Sequence, residues 1–107
     1  MTSSMNCSRN DVVLLPIPFT NLTSRKVRPA IVIGGNGLDL FLVPISSVIA
    51  NADFQLNHWQ AAGLNVPSGV KAQLATVEKR LVVKVVGRLT SKDTQDLDAR
   101  LRNWLKL

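Results

Sequence analysis

Short apolar runs separated by Gly, Pro, Asn and Ser recur along this chain, a pattern typical of a small β-rich domain. The run Asp11–Phe19 is short for a helix and contains two prolines near its end, so it is predicted as a buried strand. The next two runs, Val27–Ile33 and Leu38–Ile45, are separated by Gly34–Gly37, whose residues tolerate a positive φ. These three runs therefore predict a strand followed by a tight antiparallel hairpin.

The middle of the chain predicts shorter elements. Residues 48–68 would be unusually long for a structureless connection in so small a domain. Phe54 and Leu56 alternate with polar residues, which predicts one short edge strand. Two further β-rich runs, 70–77 and 81–89, flank a charged tripeptide that predicts a single helical turn.

The C-terminal segment predicts an amphipathic helix that packs on the sheet. Thr90 or Ser91 can cap its start, acidic residues follow in the first turns, and basic residues lie near its end. The apolar face is expected to comprise Leu97, Leu101, Trp104 and Leu105. Two ion pairs are expected on the exposed side, Asp96 with Arg100 and Asp98 with Arg102. The predicted architecture is a small, mostly antiparallel β-barrel with a terminal helix.

Length and composition define the class of protein. The 107 residues, 46% of them hydrophobic, suit one domain over 10–107, preceded by a flexible tail at residues 1–9. The net charge of +6 suits a polyanionic partner, and nine of the thirteen Lys and Arg residues lie between 71 and 106. A single cysteine, Cys7, and the lack of a long apolar run predict a cytoplasmic protein that does not enter membranes.

One charged residue stands at the mouth of a predicted strand. Arg28 precedes Pro29, which holds it in an extended conformation, and its guanidinium suits planar recognition of phosphate. In the predicted hairpin Arg28 lies beside Ser46. The alternatives for Arg28 are a salt bridge at the strand end or a solvated side chain. Polar residues that could line the same site are Thr20, Asn21, Thr23, Ser24, Lys26, Ser47, Lys71 and Gln73.

These residue types suit RNA cleavage better than other chemistry. No metal-ligand spacing, nucleophilic triad or phosphate-binding glycine motif is present in the sequence, so no metal and no cofactor is expected. RNA carries its own nucleophile, the 2′-hydroxyl, so a protein need only orient the phosphodiester and stabilise the developing charge. Arg28 and Ser46 could do this, but no His or carboxylate is an obvious general base.

The chain resembles the MazF/PemK toxin family over nearly all of its length after residue 10. The resemblance is carried by the motifs Asp11–Thr20, Val27–Ile33, Val43–Ser47, Gly63–Leu64, Pro67–Ser68, Ala75–Lys79 and Val86–Leu89. It implies an SH3-like antiparallel barrel and a homodimeric, metal-independent endoribonuclease that leaves a cyclic phosphate. It also implies a cognate antitoxin with an acidic, flexible tail.

By position, the resemblance assigns catalytic roles to two residues. Arg28 matches the family's catalytic Arg, and Ser46 matches a catalytic Thr, with the hydroxyl preserved. Ser24 falls near a loop Ser that contacts RNA in some members. Where some members carry an Arg and an Asp, this chain has Lys71 and Ala72, so an acid is missing.

The leading hypothesis is therefore a toxin of a type II toxin-antitoxin system that cleaves single-stranded RNA sequence-specifically. One alternative is a barrel that has lost catalysis, binds RNA and antitoxin, and regulates its operon. A third hypothesis is a DNA gyrase poison, because that activity occurs on the same fold and Trp104 lies near the C-terminus.

Overall fold

The computed structural model describes residues 6–16 and 26–107. Within these two ranges the chain forms seven strands, two short 3₁₀ helices and one α-helix. The strands are β1 (Asp11–Pro16), β2 (Val27–Asn36), β3 (Asp39–Ser46), β4 (Phe54–Gln55), β5 (Gly69–Val70), β6 (Ala75–Glu78) and β7 (Lys84–Arg88). The 3₁₀ helices are Ile49–Asn51 and Lys79–Leu81, and the α-helix, α1, is Ser91–Leu105.

Strand β3 is the centre of the sheet. It pairs with β2 on one side; on the other it pairs with β6 through Asp39–Leu42 and with β5 through Ile45–Ser46. The strand order is β4-β5-β3-β2-β1-β7, with β6 also on β3, and all these pairings are antiparallel. The predicted antiparallel fold with a C-terminal helix is confirmed, although hydrogen bonds between the described strands do not close the barrel.

The hairpin between β2 and β3 has the predicted turn. Gly37 adopts a φ of +62°, which a residue without a Cβ reaches at little cost. The register shifts between Val32 and Gly34, so the predicted loop glycines begin inside β2, beside a bulge. Beyond the bulge the pairing is regular down to Ala30 opposite Pro44, which directs the ends of both strands toward one rim.

Apolar residues of β1 and β2 are buried on both faces of the sheet. Val12 and Ile31 belong to one core cluster, whereas Val13 and Val32 belong to a second. The first cluster includes helix residues Leu97 and Leu101, and the second includes Leu40, Leu42 and Val82. Two covered faces explain why these strands are continuous apolar runs rather than alternating ones.

Helix α1 starts where the sequence predicted. The Thr90 side chain accepts a hydrogen bond from the Asp93 backbone N–H at 3.4 Å, which makes Thr90 the N-cap. Leu97 and Leu101 are buried, and Trp104 packs partly buried against the same cluster. Leu105, at the end of the predicted apolar face, is 43% exposed and does not join the core.

The two ion pairs expected along α1 do not form, and three of their four residues pair with other side chains. Asp98 pairs with Arg9 at 2.8 Å, and Arg100 pairs with Asp53 at 3.3 Å. Asp96 pairs with Lys92, one turn earlier than expected. For Asp98 and Arg100 the reason is that neighbouring segments bring opposite charges to the helix, and these compete with partners four residues away. Asp96 keeps a partner within the helix and also accepts a hydrogen bond from Asn57 Nδ2 at 2.9 Å.

Three residues assigned to the N-terminal tail contact the domain. Cys7 packs partly buried against the second core cluster, the Ser8 backbone N–H donates to Asp11 Oδ2 at 2.8 Å, and Arg9 binds Asp98. Residues 7–9 are therefore part of the packed structure. Among the described residues, no helix combines the length and the apolar character needed to span a bilayer.

Candidate functional site

A cleft of about 510 Å³ lies where the ends of β2 and β3 meet the segment 63–68. Its polar and charged lining comprises Arg28, Ser46, Ser47, Asn51, Asn65, Ser68 and Lys71. Apolar lining comes from residues such as Pro29, Val48, Leu64 and Val66. Two cations and several neutral polar groups thus share one opening on the strand rim.

Arg28 is exposed on the second residue of β2, with its Cα opposite Leu15 of β1. Continuing the pairing of Ala30 with Pro44 by two residues places Arg28 opposite Ser46, and both side chains line the cleft. Within the described ranges the Arg28 side chain forms no ion pair or hydrogen bond. A salt bridge at the strand end, the first alternative raised by the sequence, is therefore not formed with any residue of those ranges.

Ser46 ends β3 and is held by its own turn. Its Oγ accepts a hydrogen bond from the Val48 backbone N–H at 3.0 Å and donates one to the Val48 carbonyl at 3.2 Å. Such local bonds fix the direction of a serine side chain. A hydroxyl has one donor hydrogen, which can rotate, so Ser46 can bind a phosphate oxygen by turning this hydrogen away from the Val48 carbonyl.

Of the other expected polar residues, Lys71 and Ser47 line the cleft, whereas Gln73 and Lys26 are not part of its described lining. Gln73 lies in an adjoining hollow of about 400 Å³, which shares Lys71 with the cleft. Lys26 is exposed just before β2 and is not among the described residues that line the cleft. Four expected site residues fall outside the described ranges: Thr20, Asn21, Thr23 and Ser24.

Acidic groups and His are absent from the described lining of the cleft. Asp53 lines the adjoining hollow together with Ala72, and its carboxylate is paired with Arg100. His58 is exposed, and its backbone N–H donates to Asp93. Over the described ranges, no three His, Cys, Asp or Glu side chains come together in a way that could hold a metal ion.

Cys7 lies in a separate hollow, together with Arg9 and Lys79. Burial, followed by the nearby Asp11 carboxylate, raises the pKa of the Cys7 thiol, although Lys79 opposes this shift. The thiol is therefore protonated at neutral pH and is a poor nucleophile.

Sequence reasoning missed one wall of the cleft, the segment 63–68. Ser68 is only 2% exposed, and its Oγ donates to the Val66 carbonyl at 2.8 Å. Asn65 directly precedes Val66 and lines the cleft, as does Asn51 from the first 3₁₀ helix. Two of the motifs that carried the family resemblance, at 63–64 and 67–68, form the two ends of this wall, and they were the signal in the sequence that could have identified it.

Comparisons with known proteins agree with this architecture. Residues 8–105 match the family model described as PemK-like, MazF-like toxin of type II toxin-antitoxin system. The chain is similar in structure to the Mycobacterium tuberculosis toxin MazF-mt6, with a TM-score of 0.71 and 16% identity over 91% of this chain and 97% of that one. A second similar structure is an endoribonuclease in complex with its cognate antitoxin from a mycobacterial species.

That second structure has a TM-score of 0.67 and 16% identity, over 96% of this chain and 97% of the other. No curated protein matches the sequence. At such low identity the two structures show the fold, while the family match spans almost the entire chain. The chain therefore belongs to the PemK-like, MazF-like toxins of type II toxin-antitoxin systems.

Proposed function

We propose that this toxin is a metal-independent, sequence-specific endoribonuclease that cleaves single-stranded RNA in the cleft at the ends of β2 and β3. The observation that carries the proposal is the placement of Arg28 and Ser46 on one cleft, with the Arg28 charge unpaired by any described residue. An exposed guanidinium without a carboxylate partner is suited to bind a phosphodiester. One of the proteins of similar structure is an endoribonuclease, which agrees with this chemistry.

In the proposed reaction the RNA 2′-oxygen attacks the adjacent phosphorus. The bond from O2′ to phosphorus forms as the bond from phosphorus to O5′ breaks, giving a 2′,3′-cyclic phosphate and a 5′-hydroxyl. The 2′-hydroxyl proton leaves to solvent water, and O5′ receives a proton from water. Arg28 stabilises the charge that develops on the non-bridging oxygens, Ser46 donates a hydrogen bond to one of them, and Lys71 binds a neighbouring phosphate.

The test is cleavage of a long single-stranded RNA in excess chelator. The wild-type protein should give discrete fragments ending in a cyclic phosphate. Arg28→Ala should reduce cleavage about 100-fold or more, because it removes the main charge facing the transition state. Arg102→Ala is the matched control, since Arg102 lies on α1 in a different hollow, and it should cut normally. Unchanged cutting by Arg28→Ala would contradict the assignment.

Ser46→Ala separates the two roles of this hydroxyl. If Ser46 binds a phosphate oxygen, its loss should slow cleavage about 10-fold while the protein remains folded. If its bonds to Val48 are its only role, thermal unfolding should shift and the cleavage rate per folded molecule should not.

We further propose that the active form is a homodimer and that an antitoxin with an acidic, flexible tail inhibits it. The net charge of +6 and the antitoxin complex of a similar protein support the second part. Light scattering should give twice the chain mass. A co-expressed antitoxin should bind in a salt-sensitive manner and block cleavage; a protein that stays monomeric while cutting RNA would contradict the dimer.

A barrel that binds RNA and antitoxin without cutting, and regulates its operon, is the second candidate. The lack of a carboxylate or imidazole in the described cleft lining favours it, because no described cleft residue is an evident general base. Salt-sensitive RNA binding without cleavage of any tested RNA would support this function over the first. Gyrase poisoning has less support, since Trp104 packs against the core.

A further inference from the structure

The cleft contains several uncharged side chains that have no role in the proposed cleavage of the phosphodiester. Asn51 and Asn65 line it, and neither side-chain amide forms a hydrogen bond within residues 6–16 and 26–107. Two aliphatic side chains on the same cleft, Val48 and Val66, are 54% and 49% exposed. Uncharged amides beside exposed aliphatic surface suit a flat, partly apolar ligand with hydrogen-bonding edges.

The wall that carries Asn65 is anchored at both ends. At one end Gly63 has a φ of +89°, and a Cβ at this position would lie 2.2 Å from the Val86 carbonyl oxygen of β7. The Leu64 backbone N–H donates to the Trp59 carbonyl at 3.1 Å. At the other end the buried Ser68 hydroxyl binds the Val66 carbonyl. Asn65 is therefore presented from a backbone that is fixed before any ligand arrives.

Val48 and Asn51, which also line the cleft, are connected by hydrogen bonds to Ser46, whose hydroxyl is proposed to be catalytic. Val48 exchanges two hydrogen bonds with the Ser46 Oγ, and the Asn51 backbone N–H donates to the Val48 carbonyl at 2.9 Å. Three consecutive contacts thus connect Ser46, Val48 and Asn51 in one short turn. A ligand group that contacts Val48 or Asn51 lies next to the phosphate that Ser46 would bind.

A nucleobase has the chemistry that these groups recognise. Its faces pack on apolar side chains, and its edge offers adjacent donors and acceptors that an amide can match. The cleft volume of about 510 Å³ lies within the range of about 300 to 1,000 Å³ typical of small-molecule sites, so it can hold a base beside the backbone. A second phosphate fits these groups poorly, since they carry no charge.

We infer that Asn65, with Asn51 as its partner, reads the base adjacent to the scissile phosphate, and that Val48 and Val66 hold the faces of this base. This inference rests on the proposed endoribonuclease function and adds to it a specificity-determining residue outside the Arg28 and Ser46 pair. Asn65 makes no structural hydrogen bond through its side chain to the described residues, so its substitution should leave the fold intact.

Cleavage-site mapping on a randomised RNA pool tests the inference. Wild-type protein should favour one base at a position next to the cut. Asn65→Ala should weaken that preference about 10-fold at this position alone, and Asn65→Asp, which replaces the amide donor by an acceptor, should change which base is favoured. Asn103→Ala on α1 is the matched control and should keep the wild-type preference. A preference unchanged in both Asn65 variants would overturn the inference.

A binding experiment separates this inference from the proposed function. Arg28→Ala protein can be titrated with four fluorescent oligonucleotides that differ only in one central base, so that no cleavage is needed. A base preference that Asn65→Ala removes in this background supports base reading even if wild-type protein cuts no RNA. Equal binding of all four oligonucleotides, or a preference that survives Asn65→Ala, would overturn the inference whether or not cleavage occurs.

Discussion

The N-terminus of α1 and the cleft at the strand rim differ in the burial and the hydrogen bonding of their charged side chains. Asp93 at the start of α1 is fully buried, and its carboxylate accepts hydrogen bonds from the Asn57 backbone and side chain and from the His58 backbone, at 2.8 to 3.1 Å. Arg28 is exposed in the cleft and has no partner among the described residues. A buried side chain whose hydrogen-bonding groups are met by other protein groups stabilises the fold. A charged side chain on a cleft, without such partners, is available to bind a ligand.

Substitution of Asp93 should produce the largest effect on stability. Asp93→Ala removes a fully buried acceptor and leaves the Asn57 and His58 backbone N–H groups without it, so we expect a loss of about 3 kcal/mol in the free energy of unfolding. Urea unfolding at a fixed protein concentration measures it. Asp98→Ala is the control, because its pair with Arg9 is exposed and should contribute about 0 to 1 kcal/mol. Equal losses in the two variants would contradict the structural role of Asp93.

The contact between the cleft wall and β7 should produce the next largest effect. Gly63→Ala combines a positive φ with a clash against the Val86 carbonyl oxygen, so we expect a loss of about 2 kcal/mol or more. Gly37 also has a positive φ, +62°, but a Cβ there would meet nothing within 4 Å, so Gly37→Ala should lose about 1 kcal/mol. The difference in thermal unfolding between the two variants gives the cost of the clash. Equal losses of stability would mean that the segment 63–68 can move away from Val86 at little cost.

The difference between the two regions also marks what the sequence could predict. The hairpin was predictable because local turn residues and two flanking apolar runs set it, and this hairpin carries Arg28 and Ser46. The Asp93 network was not, because its partners Asn57 and His58 lie 36 and 35 residues away. The spacing of residues within one segment does not reveal that a carboxylate will accept hydrogen bonds from a distant loop. The sequence therefore indicated only that Asp93 is an acidic residue favourable near the start of the helix.

Local sequence patterns alone could not place the second wall of the cleft, for the same reason. Asn65 reaches the cleft because Gly63 packs against Val86 of β7, a contact between segments with unrelated sequence patterns. The same limit applies to the ion pairs of α1. Spacing along the helix suggested Arg102 for Asp98, but the fold supplies Arg9 from 89 residues away.

Arg28 itself should contribute almost nothing to stability. Because it has no ion pair or hydrogen bond to lose within the described residues, Arg28→Ala should change the free energy of unfolding by no more than about 0.5 kcal/mol. Urea unfolding checks this beside the cleavage assay, where the same variant should lose nearly all activity. A destabilisation comparable to that of Asp93→Ala would show that Arg28 has a structural role, and the contrast between the two regions would fail.

The smallest effect on stability is expected from Glu78 and Arg80, which form an ion pair. Like Asp93, Glu78 has hydrogen-bond partners, but unlike Asp93 it is exposed. Hydrogen bonds from Arg80, followed by its positive charge, lower the pKa of Glu78 from its ordinary value of about 4.5, with Arg80 Nε 2.9 Å from Glu78 Oε2. A carboxyl whose pKa is lower in the folded state stabilises the fold above the unfolded pKa, and this stabilisation is lost as the pH falls through the folded value. The melting temperature of wild-type protein should therefore fall relative to that of Glu78→Gln below about pH 4.5, while the difference stays constant nearer neutrality.

Other carboxyl groups titrate in both proteins, so the difference between the two melting curves isolates Glu78. Arg80→Gln is the companion variant: it removes the cause of the shift, and a further Glu78→Gln change in that background should add no acid-dependent difference. A difference curve that is flat across the acid range would mean that solvent fully screens the pair. Glu78 would then group with Arg28 as a charge that the fold does not use, and burial, rather than the presence of a partner, would separate structural charges from those available to ligands.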